Sequence, residues 1–274
     1  MNGEIAQIVA LTCHANAFLK GKEIGDFFPY NSTCKFIESI KFVDWSKNVE
    51  EDSKEVEELA STPDKWFEYL KSKKANGIRV SRIPQSDEDR WHVGFVGQGG
   101  IWEIEAVYEN KTSSIWRPKW EIGDQDALDK RIWRLTYGTI GTISSRSLEP
   151  GRVYQIRNNF LIALKEIEEF SIKNKCDEIF TSSFQKAIET LESKKDEKKY
   201  EVYHEDLCPK SFCAKDNISI LNACQHAYVF GGMGTWNDLW LENDVQDEYN
   251  RVSDNLFSIL MDMIIATTNL TYYK

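Results

Sequence analysis

The sequence has few of the residues that mark fibrous, disulfide-rich or membrane-spanning proteins. Six cysteines among 274 residues are too few for a disulfide framework, and 6 prolines with 15 glycines exclude collagen-like and linker-like chains. No apolar run reaches the roughly 18 residues that a membrane span requires. The first apolar stretch, residues 5–19, lacks the positively charged start of a signal peptide. We therefore expect a soluble, cytoplasmic protein with reduced thiols and no membrane association.

Basic residues are outnumbered by acidic ones. The chain has 34 lysines and arginines against 44 aspartates and glutamates, which gives a formal net charge of −10 at pH 7. Nucleic-acid binders neutralise phosphates with basic side chains, so this balance argues against general nucleic-acid binding. Much of the acidity falls at residues 50–58, which we interpret as a solvated surface segment. Because opposite charges attract, a basic protein is the partner that the composition favours.

Aromatic residues, by contrast, are abundant. The chain has 9 Trp, 11 Tyr and 14 Phe, and 41% of its residues are hydrophobic, which excludes an intrinsically disordered protein. A chain of this length buries about three quarters of its unfolded surface, which is enough for a large core. We predict a single domain over residues 1–274, with a subdivision into a β-rich part (1–150) and a helical part (151–274) as the alternative.

The hydrophobic periodicity predicts an α+β fold. Apolar residues alternate in the middle of the chain, which predicts an antiparallel β-meander at about residues 78–145. We expect this meander to pack against N-terminal elements and a C-terminal helical region. Within it, alternation on both sides of a Gly-Gly turn predicts a hairpin at residues 90–109.

Two helices are predicted before the meander. The apolar spacing of residues 4–19 is typical of one helical face, with a buried strand at 9–13 as the alternative. Thr62 before Pro63 is typical of a helix start, and the sequence predicts a helix over residues 63–75 that ends at Asn76-Gly77.

Three glycines fall within four positions near the end of the chain. Thr235 and Asp238, which follow them, have the spacing of a capping box. One interpretation is a nest of backbone N–H groups that binds an anion. The other, which we favour because glycine clusters more often punctuate helices, is a tight turn between helices. The candidate binding residues of this Gly-rich loop are Gly231, Gly232, Gly234, Thr235, Trp236, Asn237 and Asp238.

A second candidate binding site is the pair Trp116 and Trp120. The two residues flank Arg117-Pro118-Lys119, and we interpret the stretch as an exposed loop. Tryptophan is enriched in binding hot spots, which favours a partner-binding role. Aromatic residues also dominate protein cores, so core packing carries equal weight for this pair.

Cysteine and histidine residues at positions 204–226 include enough donor atoms for a tetrahedral zinc site. These residues are His204, Cys208, Cys213, Cys224 and His226. Their spacing is unfavourable, because structural zinc sites use C-x2-C pairs and because Cys224 and His226 diverge on a predicted helix. We therefore expect free thiols, no metal and no cofactor. Whether Cys208, Cys213 and His204 act together stays open.

The sequence contains no complete catalytic motif. We therefore favour a non-catalytic intracellular protein-binding protein, of the inhibitor or immunity type, that acts on a basic partner. The alternative is a hydrolase or transferase with its site at the Gly-rich loop 231–238. That alternative requires a pocket that joins the loop to His14, His92 or His226.

Overall fold

The structure is a computed structural model that describes residues 1–46, 56–145, 153–193, 200–242 and 244–274. Most of the acidic segment 50–58 lies outside the described residues. The helices of the described part are α1 (Gly3–Leu19), α2 (Pro63–Ser72), α3 (Asp89–His92), α4 (Val153–Lys173), α5 (Glu178–Glu192), α6 (Lys215–Ala227) and α7 (Asp244–Asn269). The strands are β1 (Ile37–Asp44), β2 (Glu58–Ala60), β3 (Ala75–Ile83), β4 (Ile101–Tyr108), β5 (Thr112–Ile122) and β6 (Trp133–Ser144). Short 3-10 helices lie at Ser32–Cys34 and Trp236–Asp238.

The six strands form one mixed sheet in the order β2-β1-β6-β5-β4-β3. From β3 to β6 each strand pairs antiparallel with the next, as in a meander. β1 then joins β6 in parallel, with Phe42 opposite Tyr137, and β2 pairs antiparallel with β1. The α+β class is confirmed. The description of the sheet is confirmed only in part, because a parallel strand enters it from outside the meander.

The predicted hairpin at residues 90–109 is wrong. Asp89–His92 forms α3, and β4 begins only at Ile101, where it pairs with β3 and β5. The Asp89 carboxylate accepts the backbone N–H groups of Gln85 at 3.1 Å and Ser86 at 3.3 Å. It also binds Arg82, so tertiary contacts around Asp89 set the local conformation.

Helix α1 lies at the centre of the molecule. Its residues from Ile5 to Ala17 are buried without a break, because it packs against β3, β4, α2 and α7. The Asn2 side chain accepts the N–H of Ile5 at 2.9 Å and caps the helix. The helix predicted at residues 4–19 is therefore confirmed, and the strand alternative is wrong.

Two asparagines bind the backbone of β3, the last strand of the sheet on that side. Asn16 of α1 accepts the N–H of Ile78 at 2.7 Å and donates to its carbonyl at 2.8 Å. Asn269 of α7 does the same for Val80, at 2.8 and 2.9 Å. An uncovered edge strand invites pairing with other chains. These side chains occupy the hydrogen-bonding groups that such pairing would use.

The buried apolar side chains form one cluster that extends from α1 and the sheet to α4–α7. Helix α7 contributes to it along most of its length, from Tyr249 to Ile264. Among the described residues, no helix combines the length and apolarity needed to cross a membrane.

Candidate functional site

The Gly-rich loop is anchored by a buried tryptophan. The Trp236 side chain is fully buried, and its Nε1 donates to Ser253 Oγ of α7 at 2.7 Å. The Tyr249 hydroxyl donates to the Trp236 carbonyl at 2.6 Å. Aromatic rings from three helices surround the indole, with centroids 5.2–6.4 Å away: Phe170, Phe180, Phe184 and Tyr249. Trp236 is therefore an anchor of the loop, and it is not available to a partner at the surface.

Asn237 and Arg90 join the loop to α3. Asn237 Nδ2 donates to the Arg90 carbonyl at 2.8 Å, and Arg90 Nη1 donates to Asn237 Oδ1 at 3.2 Å. The Arg90 side chain is 1% exposed and pairs with Asp254 of α7 at 2.6 Å. Its guanidinium also lies over the Trp91 ring, 4.0 Å from the centroid. A buried cation with this many partners holds α3, the loop and α7 together.

Asp238 occupies the positive end of the short helix at Trp236–Asp238. Its carboxylate accepts the backbone N–H of Gly234 and that of Thr235, and the capping box with Thr235 is formed. The Thr235 hydroxyl donates to the Gly232 carbonyl at 2.8 Å. The N–H groups that would hold an anion at these two positions are thus already bound by a carboxylate of the chain. The geometry favours the interpretation of the loop as a tight turn.

The loop packs against the turn that follows α3. A Cβ at Gly94 would lie 2.3 Å from the backbone N of Gly232, so the two backbones touch. Large apolar side chains project outward from both segments: Met233 is 98% exposed, Trp240 86% and Phe95 62%. Trp91 and Val96 are exposed to a smaller extent. We call residues 91–97 and 231–240 together the loop surface.

The charges on and beside the loop surface are acidic. Neither segment contains a lysine or an arginine. Asp238 is exposed within it, and Asp87 and Glu88 are exposed directly before α3. Asp254, at its base, is neutralised by Arg90. The loop surface therefore combines protruding apolar groups with a negative border.

For the second candidate site, the interpretation as an exposed loop is wrong, and the core alternative is confirmed for Trp116. Trp116 and Trp120 lie in β5 and not in an exposed loop. Trp116 is 1% exposed and packs 5.4 Å from Trp66, so it belongs to the core. Trp120 is partly buried against Trp133, at 6.0 Å. Pro118 sits within the strand, whose register shifts between Ile115 and Trp116 and whose residues 113–116 are all buried.

A cleft of about 750 Å³ lies where Ser32–Cys34 meets the segment 202–211. Ser32 Oγ lies 2.8 Å from His204 Nδ1 and donates to the Asp206 carboxylate, whose second oxygen accepts the Ser32 N–H at 2.8 Å. In a serine nucleophile relay the carboxylate orients the histidine, whereas here it binds the serine directly. We interpret Asp206 as a cap of the short helix. Burial lowers the pKa of His204 to about 4, so this imidazole is neutral at pH 7.

His14 lies on the wall of the same cleft. Its Nε2 is 3.0 Å from the Asp206 carbonyl, and because a carbonyl only accepts, Nε2 carries the proton. Burial lowers the pKa of His14, which keeps the ring neutral, so Nδ1 has a free lone pair. That Nδ1 is buried without a hydrogen-bond partner. None of the residues lining this cleft belongs to the Gly-rich loop, so His14 does not supply the pocket that the enzyme alternative requires.

Three cysteine sulfurs meet beside the cleft. Cys13 of α1, Cys208 and Cys213 have their Sγ atoms within 4.8 Å of one another, and all three residues are buried. Cys208 and Cys213 form a disulfide, with Cα atoms 6.1 Å apart. Cys224, His226 and His204 are not part of this cluster. Of the five residues grouped from the sequence as possible zinc ligands, only Cys208 and Cys213 lie together. Cys13 was missed because it lies almost 200 residues from its neighbours, and no local pattern signals the contact.

Comparisons with protein families, with curated proteins and with solved structures found no match to this chain.

Proposed function

We propose that this protein is a non-catalytic protein-binding protein, of the inhibitor or immunity type, and that it binds a basic partner through the loop surface. The observation that carries the proposal is the exposure of Met233, Trp240 and Phe95 on a backbone that is held rigidly from below. Exposed large apolar groups gathered around one feature are typical of interaction sites.

The anchoring of the loop favours tight binding. Association is costly when a loop must be ordered as it binds. Here Trp236 and Asn237 fix the loop before a partner arrives, through buried contacts to α7 and α3. Met233 and Trp240 are then presented on a preformed surface. Aromatic residues presented in this way are typical hot spots.

The partner that fits this surface has an apolar pocket or groove bordered by lysine or arginine. The negative border at Asp87, Glu88 and Asp238 would speed association with such a partner and disfavour acidic ones. The net charge of −10 acts in the same direction. The bound Asp238 carboxylate gives the hydrolase or transferase alternative no support at this loop.

The proposal is tested with a double variant, Met233→Ser with Trp240→Ser. Both side chains are almost fully exposed, so the fold should be unaffected. Affinity capture from cells of the natural source is run with wild type and the variant, and each protein retained by wild type alone is purified and titrated by calorimetry. We expect a basic partner whose affinity falls about 30-fold or more, which corresponds to roughly 2 kcal/mol at a hot spot.

Leu128→Ser is the matched control, because Leu128 is fully exposed in the connection between β5 and β6. The control should bind as wild type does, and high salt should weaken the wild-type complex by screening the negative border. A partner that binds wild type and the double variant equally, or one that is acidic and insensitive to salt, would contradict the proposal.

A further inference from the structure

We propose that Cys13, Cys208 and Cys213, once reduced, form a binding site for a thiophilic d¹⁰ metal ion, Zn²⁺ or Cu⁺. The site is separate from the loop surface and does not depend on the proposed function. It rests on the convergence of three buried sulfurs from two distant parts of the chain.

The sulfur geometry suits a single ion. With a metal–sulfur bond of about 2.3 Å, two ligating sulfurs lie about 3.8–4.0 Å apart in tetrahedral or trigonal coordination. The three Sγ atoms lie within 4.8 Å of one another, and two of them are joined in the Cys208–Cys213 disulfide. Once that bond is reduced, the two sulfurs must separate to the ligating distance. Cys208 and Cys213 come from one loop and Cys13 comes from helix α1, so the fold already brings all three sulfurs to one place.

Reduction of the disulfide makes the site available. A phosphine reductant takes the oxygen of one water molecule and becomes a phosphine oxide, while the Cys208–Cys213 bond receives two electrons and two protons and gives two thiols. Each thiol that binds the ion then releases its proton to the buffer.

The neighbouring cleft gives the ion a route of entry and a further ligand. Cys208 and His14 both line the cleft. The buried His14 Nδ1 has a free lone pair and no partner, and neutral imidazole is a common ligand of d¹⁰ ions. It lies outside the 4.8 Å sulfur group, so it would join only after a rearrangement of the ring. With His14 or water in the fourth position the site is suited to Zn²⁺, whereas three thiolates alone suit Cu⁺.

The experiment uses the full chain, reduced with the phosphine and desalted without oxygen. Zn²⁺ alone and Cu⁺ alone are added in separate arms, excess metal is removed with a competing chelator, and bound metal is measured by elemental analysis. We expect about one equivalent in at least one arm, with a rise in the unfolding temperature. The oxidised protein should bind less than a tenth as much, because two ligands are then joined.

Cys13→Ser should lower the affinity at least tenfold, and Cys176→Ser is the control because Cys176 lies outside the cluster. If Cys13→Ser fails to fold, Cys208→Ser and Cys213→Ser decide the question, because both residues lie in the non-helical segment before α6 and not in a helix. Protection of the three cysteines from alkylation by the bound metal gives a second readout. Reduced wild type that binds neither ion, or metal binding that survives in all three cluster variants, would overturn the proposal.

Discussion

The chain builds two aromatic clusters from the same residue types, and the clusters end up with opposite roles. On the sheet, Phe42 stacks between Trp66 at 4.5 Å and Tyr137 at 5.4 Å, and Trp116 packs on their edge. Under the Gly-rich loop, Trp236 is enclosed by rings of α4, α5 and α7. Helix α2 covers the sheet cluster and contributes Trp66 to it, whereas the loop cluster supports a segment that exposes Met233 and Trp240.

The difference lies in what surrounds each buried tryptophan. Trp116 lies in a buried stretch of β5, residues 113–116, and pairing with β4 and β6 fixes the position of that stretch. Trp236 lies in a short 3-10 helix after three glycines, and only the two residues Trp236 and Asn237 turn inward. The remainder of the loop is left at the surface. A buried anchor within an exposed turn is thus a way to present side chains such as Met233 without loss of order.

The largest effect is expected from Trp116→Ala. Removing a fully buried indole from the sheet cluster leaves a cavity between Trp66, Phe42 and Tyr69. We expect a loss of about 3–5 kcal/mol in the free energy of unfolding. Met233→Ala, at a side chain 98% exposed, should change that free energy by less than about 0.5 kcal/mol. Urea unfolding measures both, and similar values for the two variants would refute the division into core and surface.

Arg90→Met should have the next largest effect. The substitution removes the buried cation that pairs with Asp254 and leaves Asn237 Oδ1 without its donor, whereas Asn250 Oδ1 keeps Gln246 Nε2 as a donor at 3.3 Å. We expect a loss of about 2–3 kcal/mol, below the full cost of breaking a buried ion pair, because Asp254 is 53% exposed and stays hydrated. Amide hydrogen exchange should accelerate at residues 231–238 and stay unchanged in the sheet cluster. Uniform acceleration would show that Arg90 does not act locally.

Gly94→Ala is compared with Gly232→Ala. A Cβ at Gly94 would lie 2.3 Å from the Gly232 N and 2.4 Å from the Gly231 carbonyl carbon, and backbone atoms cannot rotate away. We expect a loss of about 1–3 kcal/mol from the forced separation of the two segments of the loop surface. A Cβ at Gly232 meets nothing within 4 Å, so this variant should lie within about 0.5 kcal/mol of wild type. Thermal unfolding of the pair measures the difference, and the reverse order would contradict the contact.

Much of the fold could be predicted from local pattern. The spacing at residues 4–19 and the Thr62-Pro63 start gave α1 and α2 because helix signals are local. The end of α2 was misplaced: Lys74, at φ 60°, makes the left-handed stop, and Asn76-Gly77 already belongs to β3. The hairpin at 90–109 failed because Trp91, Val93 and Phe95 alternate in sequence while contacts from Arg82 and the Gly-rich loop fold the segment otherwise. Alternation alone does not include such contacts.

For the candidate sites too, local sequence patterns were predictable and contacts between distant residues were not. The Gly-rich loop was found from sequence because three glycines and a capping box are contiguous. Its other half, residues 91–97, is about 140 positions away, and only folding brings the two together. The Cys13 sulfur joins Cys208 and Cys213 for the same reason. Met233 points outward because Trp236 is buried, and the amino-acid composition does not predict which of the two residues is buried.

A pH dependence separates the loop surface from the sheet cluster, because the ring contacts on the sheet do not titrate near neutrality. Burial raises the pKa of Glu4 to about 7, and its carboxylate accepts the N–H of Gly97, at the edge of the loop surface, at 3.0 Å. The folded state then binds more protons than the unfolded one between the ordinary glutamate pKa of 4.5 and about 7, so this group makes stability fall as pH rises through that window. His204, whose pKa is lowered from 6.5 to about 4, acts in the opposite direction over most of that window, so the test must be a difference between proteins. Relative to wild type, Glu4→Gln should gain stability as pH rises from 5 to 7. Urea unfolding measures the difference in the free energy of unfolding between the two proteins. A difference that stays constant from pH 5 to 7 would show that burial does not raise the pKa of Glu4.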